Sequence, residues 1–358
     1  MRRNVRMVAV GFVLGALVLA GCTGTDEPGP RSDRGTIALL LPESKTSRYE
    51  SVDRPVFEQT VAELCPTCDV VYANAGQSTE RQQAQAESAL AQGAEVLVLG
   101  AVDAVAARGI VEAAAEQGAK VIAYDRFISE APVDFFVSYD SGRVGQLQGQ
   151  ALVDAISGDL DPGEGILLVH GAATDPNAAE LKQGLAEVLF GTGIEVFAEY
   201  DTPDWSPDKA QEWVESQLTL YGHNVIGVYA ANDGTASGAI SAMRAAGMDP
   251  VPPVTGQDAE LAAIQRIVSG DQHMTVYKRI GQQARFAATL AVQMVQGEQP
   301  DAHLHLEGVP SVLLIPVAVT QENLQRVVVD GGLYTVEQIC TVPYQRACRE
   351  MGLTEEDT

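Results

Sequence analysis

Short apolar runs alternate with amphipathic stretches through most of this chain. Runs of strand length occur near 36–41, 69–73, 95–99, 120–124, 165–169, 194–199, 225–229 and 254–257. Between them lie segments of helical spacing, for example Thr79 to Gln92, Ala104 to Gln117 and Val144 to Ile156. In the first of these, Ala86, Ala89 and Leu90 fall on one buried face. Gly93, Gly118 and Gly247 stand where helix ends call for a carboxyl cap. Repeated βα units predict an α/β fold with parallel sheet, right-handed crossovers and helices on both faces.

The residues that follow the apolar runs are polar. Val121-Ile122-Ala123-Tyr124 ends in Asp125-Arg126, and Ile37 to Leu41 leads to Lys45 and Arg48. Ile166 to Val169 leads to Thr174, Asp175 and Asn177, and Val225 to Tyr229 leads to Asn232-Asp233. Val254-Thr255-Gly256 leads to Gln257-Asp258. Ligands of open parallel sheets bind beyond the carboxyl ends of the strands, so these positions predict one polar pocket.

A chain of 358 residues is more than one core organises, and two lobes are expected. The strand Phe135-Phe136-Val137-Ser138 meets Asp140-Ser141-Gly142, where one lobe should give way to the next. Further crossings are expected near Lys278 to Gly281 and near Leu314 to Pro316.

The amino terminus predicts export. Arg2, Arg3 and Arg6 precede an apolar stretch, Val8 to Leu19, too short to span a bilayer comfortably. It ends in Leu19-Ala20-Gly21-Cys22, which resembles the lipobox of bacterial lipoproteins. That resemblance makes 1–21 a signal peptide, Cys22 the lipidated residue and 22–34 a flexible linker. The protein would be extracytoplasmic, held to the cell membrane by lipid rather than by a spanning helix.

Charge narrows the partners. With 48 acidic and 23 basic residues, the net charge of −25 repels phosphate, which excludes a nucleic-acid partner. Of five cysteines, Cys65 and Cys68 lie between a helix and a strand, and Cys340 and Cys348 lie near the end. In an oxidising compartment two local disulfides are the simple solution, although four cysteines permit three connectivities. A redox role for Cys65 and Cys68 needs a helix amino terminus, whereas this pair falls where a helix ends. His303 and His305 share one strand face without an obvious carboxylate partner, so no metal or other cofactor is expected. No Gly-x-Gly-x-x-Gly, Gly-x-Ser-x-Gly or phosphate loop appears.

The motifs in order resemble the xylose-binding family of type I periplasmic binding proteins. They are Val121 to Arg126, Val137-Ser138-Tyr139-Asp140, Ala231-Asn232-Asp233, Gly256-Gln257-Asp258-Ala259, Met274-Thr275-Val276-Tyr277-Lys278 and Pro310 to Pro316. The resemblance spans nearly all of 35–335. It implies two doubly wound parallel-sheet lobes joined by a three-strand hinge. One lobe would comprise 35–142 plus 282–314 and the other 143–281 plus 315–335, leaving 336–358 as an extension with a disulfide. It also implies a monomer that delivers a monosaccharide to an ABC permease and its ATPase, xylose or another aldose such as glucose. The alternatives are a sugar-sensing subunit for a membrane signalling protein and a carbohydrate-active enzyme. In the last, Asp125 and Asp258 would act as acid and base. Neighbouring Arg126 and Lys278 speak against that, because they keep both carboxylates ionised.

By the same resemblance the ligand contacts are Arg48, Tyr49, Asp125, Arg126, Asn177, Trp205, Asn232, Asp258 and Lys278. Carboxylates accept from sugar hydroxyls, arginine and lysine donate to sugar oxygens, and Trp205 covers an apolar face. Its loop, Pro203-Asp204-Trp205-Ser206-Pro207, reads as exposed. Asp125 beside Arg126, with Asp258 near, would balance charge after burial. Asn232 and Asp258 both precede predicted helices, so capping competes with ligand contact there. Tyr49 replaces a tryptophan usual in the family, and Asp175-Pro176-Asn177 replaces Asp-Asn-Asn.

Overall fold

The structure, a computed structural model, describes residues 35–156, 158, 161–302 and 304–354. The leader, Cys22, the linker, His303 and the acidic tail lie outside the described residues. The chain builds β1 (Thr36–Leu41), α1 (Arg54–Leu64), β2 (Asp69–Asn74), α2 (Thr79–Ala91) and β3 (Ala94–Leu99). It continues through α3 (Arg108–Glu116), β4 (Lys120–Tyr124) and β5 (Phe135–Tyr139). Then follow α4 (Ser141–Ile156), β6 (Gly165–His170), α5 (Pro176–Leu189), β7 (Glu195–Asp201), α6 (Pro207–Tyr221), β8 (Val225–Ala230) and α7 (Asp233–Ala245). After α8 (Leu261–Ser269) and β9 (Thr275–Tyr277) come α9 (Ile280–Val295), β10 (Leu304–Leu306), β11 (Val309–Leu314) and β12 (Val317–Val319). Two short helices, α10 (Val336–Ile339) and α11 (Gln345–Glu350), close the chain.

The strands form two groups. A seven-stranded sheet runs β10-β11-β5-β4-β3-β1-β2, parallel except for the β10–β11 pair. A parallel sheet β7-β6-β8 is extended by single-residue bridges, Val228 to Val254 and Gln257 to Val276, toward the antiparallel pair β9–β12. The chain passes between the groups after β5, after β9 and between β11 and β12, giving the three-strand hinge.

Both faces are buried at the inner strands, which is why these read as unbroken apolar runs, whereas the edge strands β7 and β10 are largely exposed. From β1, Ile37, Leu39 and Leu41 pack with Phe57 of α1 and Ala287 and Ala291 of α9. Ala38 and Leu40 face the other way, onto Ala86 of α2 and Ile110 of α3. In β6, Ile166 and Leu168 meet Val144 of α4 and Leu181 of α5, while Leu167 and Val169 meet Val214 of α6 and Ile240 of α7. The capping glycines Gly93, Gly118 and Gly247 have φ of 88°, 77° and 78°, conformations that cost other residues a Cβ clash.

Two elements differ from the expected pattern. The helix expected from Ala104 begins at Arg108, because the Asp103 carboxylate takes the Val105 and Ala106 N–H groups and holds the preceding residues in turns. The run 254–257 is hydrogen-bonded to β8 and β9 but is not a continuous strand. Pro252 and Pro253 supply no N–H before it, and Asp258 turns away with φ of 96°.

Both local disulfides are present, Cys65–Cys68 and Cys340–Cys348. Cys65 is the carboxyl cap of α1, the helix end that does not stabilise a thiolate. Cys340 and Cys348 are buried with Ile264, Ile267 and Val268 of α8, so the second bond fastens the terminal segment onto that helix.

Candidate functional site

Turns at the carboxyl ends of the strands bring Arg48, Tyr49, Asp125, Arg126, Asn177, Trp205, Asn232, Asp258 and Lys278 around one cavity. Thr46, Asp175 and Gln257 complete its lining. Its volume is about 20 Å³, so opposing side chains nearly touch. Larger hollows lie beside Ala151 and His273 and beside Phe127 and Glu187, but they gather none of the buried ion pairs.

The backbone is bent to aim these groups. Asp125, Trp205, Asp258 and Ala259 have φ of 66°, 54°, 96° and 52°. Such conformations cost a residue with a Cβ about 1–3 kcal/mol each and collect at ligand sites. At Asp125 the surroundings hold the bend: its N–H donates to Val137 O at 2.9 Å, and its carbonyl accepts from Ser138 Oγ at 2.6 Å. Asn177 Nδ2 also donates to that carbonyl, at 3.0 Å.

The charges pair across the fold, not along the chain. Arg48 Nη1 lies 2.9 Å from Asp125 Oδ1, and Tyr49 donates its hydroxyl to Asp125 Oδ2 at 2.9 Å. Arg48 also gives Nε to Asp53 Oδ2 at 2.9 Å and Nη2 to Gln283 Oε1 at 2.7 Å. Little of this guanidinium remains for a ligand; it mainly orients and charges Asp125. Arg126 Nε, expected beside Asp125, pairs instead with Asp175 Oδ2 at 2.8 Å. Lys278 Nζ lies 3.0 Å from Asp258 Oδ1.

Burial alone would raise the Asp125 carboxyl. Arg48, then Lys278 and Arg126, outweigh it and hold the group well below the usual carboxylate range. Burial pushes the Asp175 carboxyl up against the pull of Arg126. Its geometry is that of a carboxylate, accepting from Asn177 N at 3.0 Å and Trp205 Nε1 at 3.1 Å besides its ion pair. Asp258 Oδ1 is buried, and although Lys278 is close, no hydrogen bond from the described residues reaches it in good alignment. A buried carboxylate oxygen with spare capacity is a place for an incoming hydroxyl donor.

Trp205 differs from the expected exposed ring. It is buried against Gly171, where an added Cβ would lie 2.1 Å from its Cη2. The residue nevertheless lines the cavity. Asn232 does both things open to it. Its Oδ1 accepts from Thr235 N at 2.8 Å as the cap of α7, and the residue lines the cavity. Asp258 is not a cap, since α8 begins after Glu260. Neighbouring Asp233 turns away from the cavity and accepts from Gln272, Thr275 and the Glu260 N–H, anchoring the bent Gln257–Glu260 segment.

Thr46 carries no sequence signal that separates it from its loop neighbours. Asp53, Tyr124 and Gln283, which surround Arg48 and Asp125, also went unmarked; Gln283 reaches the network from α9. Among the described residues no group of three or more His, Cys, Asp or Glu could hold a metal, and no helix is long and apolar enough to cross a membrane.

Comparison with known proteins agrees with this architecture. Residues 37–299 match the periplasmic binding protein domain family. The D-xylose-binding periplasmic protein of Escherichia coli (strain K12) is 34% identical over 311 residues, covering 85% of this chain and 92% of that protein. The D-xylose-binding periplasmic protein of Haemophilus influenzae is 34% identical over 331 residues, covering 90% and 97%. Among solved structures, a carbohydrate transporter solute binding protein from Chloroflexus aurantiacus in complex with D-glucose matches with a TM-score of 0.76 at 28% identity. That match covers 85% of this chain and 98% of the other. These relatives are solute-binding proteins, and the chain belongs to the periplasmic binding protein family, with the type I fold.

Proposed function

We propose that this chain is an extracytoplasmic receptor that captures a monosaccharide between its two lobes and delivers it to an ABC permease driven by a cytoplasmic ATPase. The observation that carries the reading is the cavity itself: buried Asp125, Asp258, Arg126 and Lys278 converge on a space of sugar-like polarity. A neutral polyhydroxylated ring needs acceptors and donors together, and paired charges supply both without net charge in the pocket. Xylose heads the ligand candidates because D-xylose-binding proteins are 34% identical over most of the chain. Glucose follows, from the neighbour that carries it. Asp125 and Asp258 each face a cation, an arrangement that suits binding rather than acid–base turnover. Lipid on Cys22 would tether the receptor to the membrane.

The test is a thermal-shift panel on the mature protein, unfolded and refolded to remove co-purified sugar, against xylose, glucose, galactose, arabinose and ribose. A ligand at about a hundred times its dissociation constant stabilises the folded state by about 2.7 kcal/mol. A shift with one or two sugars, lost in Asp125→Ala, is the expected result. No shift with any sugar overturns the reading.

A further inference from the structure

The two lobes touch each other directly around the cavity. Ser47 Oγ donates to Glu260 Oε1 at 2.9 Å, Lys45 Nζ lies 3.8 Å from Asp204, and Asn177 Nδ2 donates to the Asp125 carbonyl at 3.0 Å. The Arg126–Asp175 pair is of another kind. Its side chains are 2% and 3% exposed, against 45% and 41% for Lys45 and Asp204. Each member is tied to its own lobe. Arg126 Nη1 donates to Ala101 O at 2.8 Å, beside the seven-stranded sheet. Asp175 accepts from Asn177 N and Trp205 Nε1 on the other side. Each side chain is anchored within its own lobe, so a parting of the lobes would separate the pair.

We propose that Arg126 and Asp175 form an interlobe clasp, which favours closure even without sugar and sets the rate at which the closed receptor opens. Asp175 then acts as a positioning residue. It serves the pocket by holding the lobes together and by fixing Trp205, beyond any contact it makes with ligand. Opening returns both charges to water, which offsets part of the loss, so the clasp biases closure without locking it. An exposed rim pair such as Lys45–Asp204 contributes much less.

The experiment follows lobe separation by the distance between spin labels at Gln117 and Phe190, in otherwise complete mature protein, first without sugar and then with xylose. Asp175→Asn keeps the side chain's size and should raise the sugar-free open fraction. With xylose the same variant should release sugar about 10- to 100-fold faster, as expected when one partner of a buried ion pair is removed and hydration on opening offsets part of the loss, with little change in association rate. Arg126→Gln should do the same, and Trp205 emission should move with both. Lys120→Gln, which breaks a pair within one lobe, should change neither quantity. An unchanged sugar-free distance distribution in both clasp variants overturns the proposal, as does a wild type that is open throughout. The sugar arm rests on the receptor reading. If labels report clasp-dependent closure but no sugar binds, that reading fails and the clasp stands.

Discussion

Asp125 concentrates the chemistry of the site into one carboxylate. It is buried, sits on a left-handed backbone, and accepts from Arg48 and Tyr49. Tyr49 contributes one neutral hydrogen bond to that carboxylate. We predict that Tyr49→Phe folds normally and binds its sugar about 3- to 10-fold more weakly, the value of one neutral hydrogen bond. Asp125→Ala should abolish binding, yet Arg48 retains Asp53 and the fold should survive with a loss of about 1–3 kcal/mol. Calorimetric titration and urea unfolding of the two variants separate these effects; equal affinity of Tyr49→Phe and wild type would remove Tyr49 from the site. That Arg48, Asp125 and Arg126 would gather at the sheet edge was legible in sequence because they follow apolar runs, where an open sheet places its ligands, whereas Tyr49 entered only through the family resemblance. Their pairings were not. Asp125 and Arg126 are sequence neighbours, but the turn sends them to Arg48 and Asp175, and no local pattern announces partners that far away.

Element by element, the strands were the most legible part, since burial on both sheet faces leaves a continuous apolar signature. Segment 254–257 carries that signature without becoming a full strand, because prolines and a positive φ interrupt the ladder around it. Helix contacts leave a fainter trace. Helices α4 and α5 approach so closely that a Cβ on Gly145 would lie 2.1 Å from Leu181 O and one on Gly184 would lie 2.0 Å from Gly142 O. Both glycines sit inside helices, where the residue is otherwise unfavourable, and only the packing explains them. Gly184→Ala should therefore destabilise the protein by about 1–3 kcal/mol despite alanine's better helix propensity. Urea unfolding reads it directly, and a stabilised variant would show that the helices move apart freely. Because α4 follows one hinge crossing and α5 begins beside Asp175 and Asn177, the same substitution should also weaken sugar binding.

At the scale of the molecule, the fold keeps many acids out of water in a chain of net charge −25. Glu43, Asp53, Asp175, Asp233 and Glu260 are all raised, each chiefly by burial. Asp233 is pushed up to about 8, first by burial and then by neighbouring Glu260. Between the ordinary aspartate range near 4 and that value, the folded state holds a proton that the unfolded chain has lost. Stability from this group is therefore full at acid pH and falls as pH rises through the window, by at most about 1.4 kcal/mol per unit. Opposing this, Asp233 accepts from Gln272 Nε2 at 2.9 Å, Thr275 Oγ1 at 2.8 Å and Glu260 N at 2.9 Å, bonds that favour the ionised form. Like-charged Glu260 and Asp258 stand on the same bent segment, so burial and repulsion should outweigh those donors. The expectation is a stability that declines from pH 5 to pH 8 in denaturant titrations, with a shallower decline in Asp233→Asn. A wild-type stability that rises over this interval would mean that the three donors win, and that Asp233 anchors the Gln257–Glu260 segment as an ion.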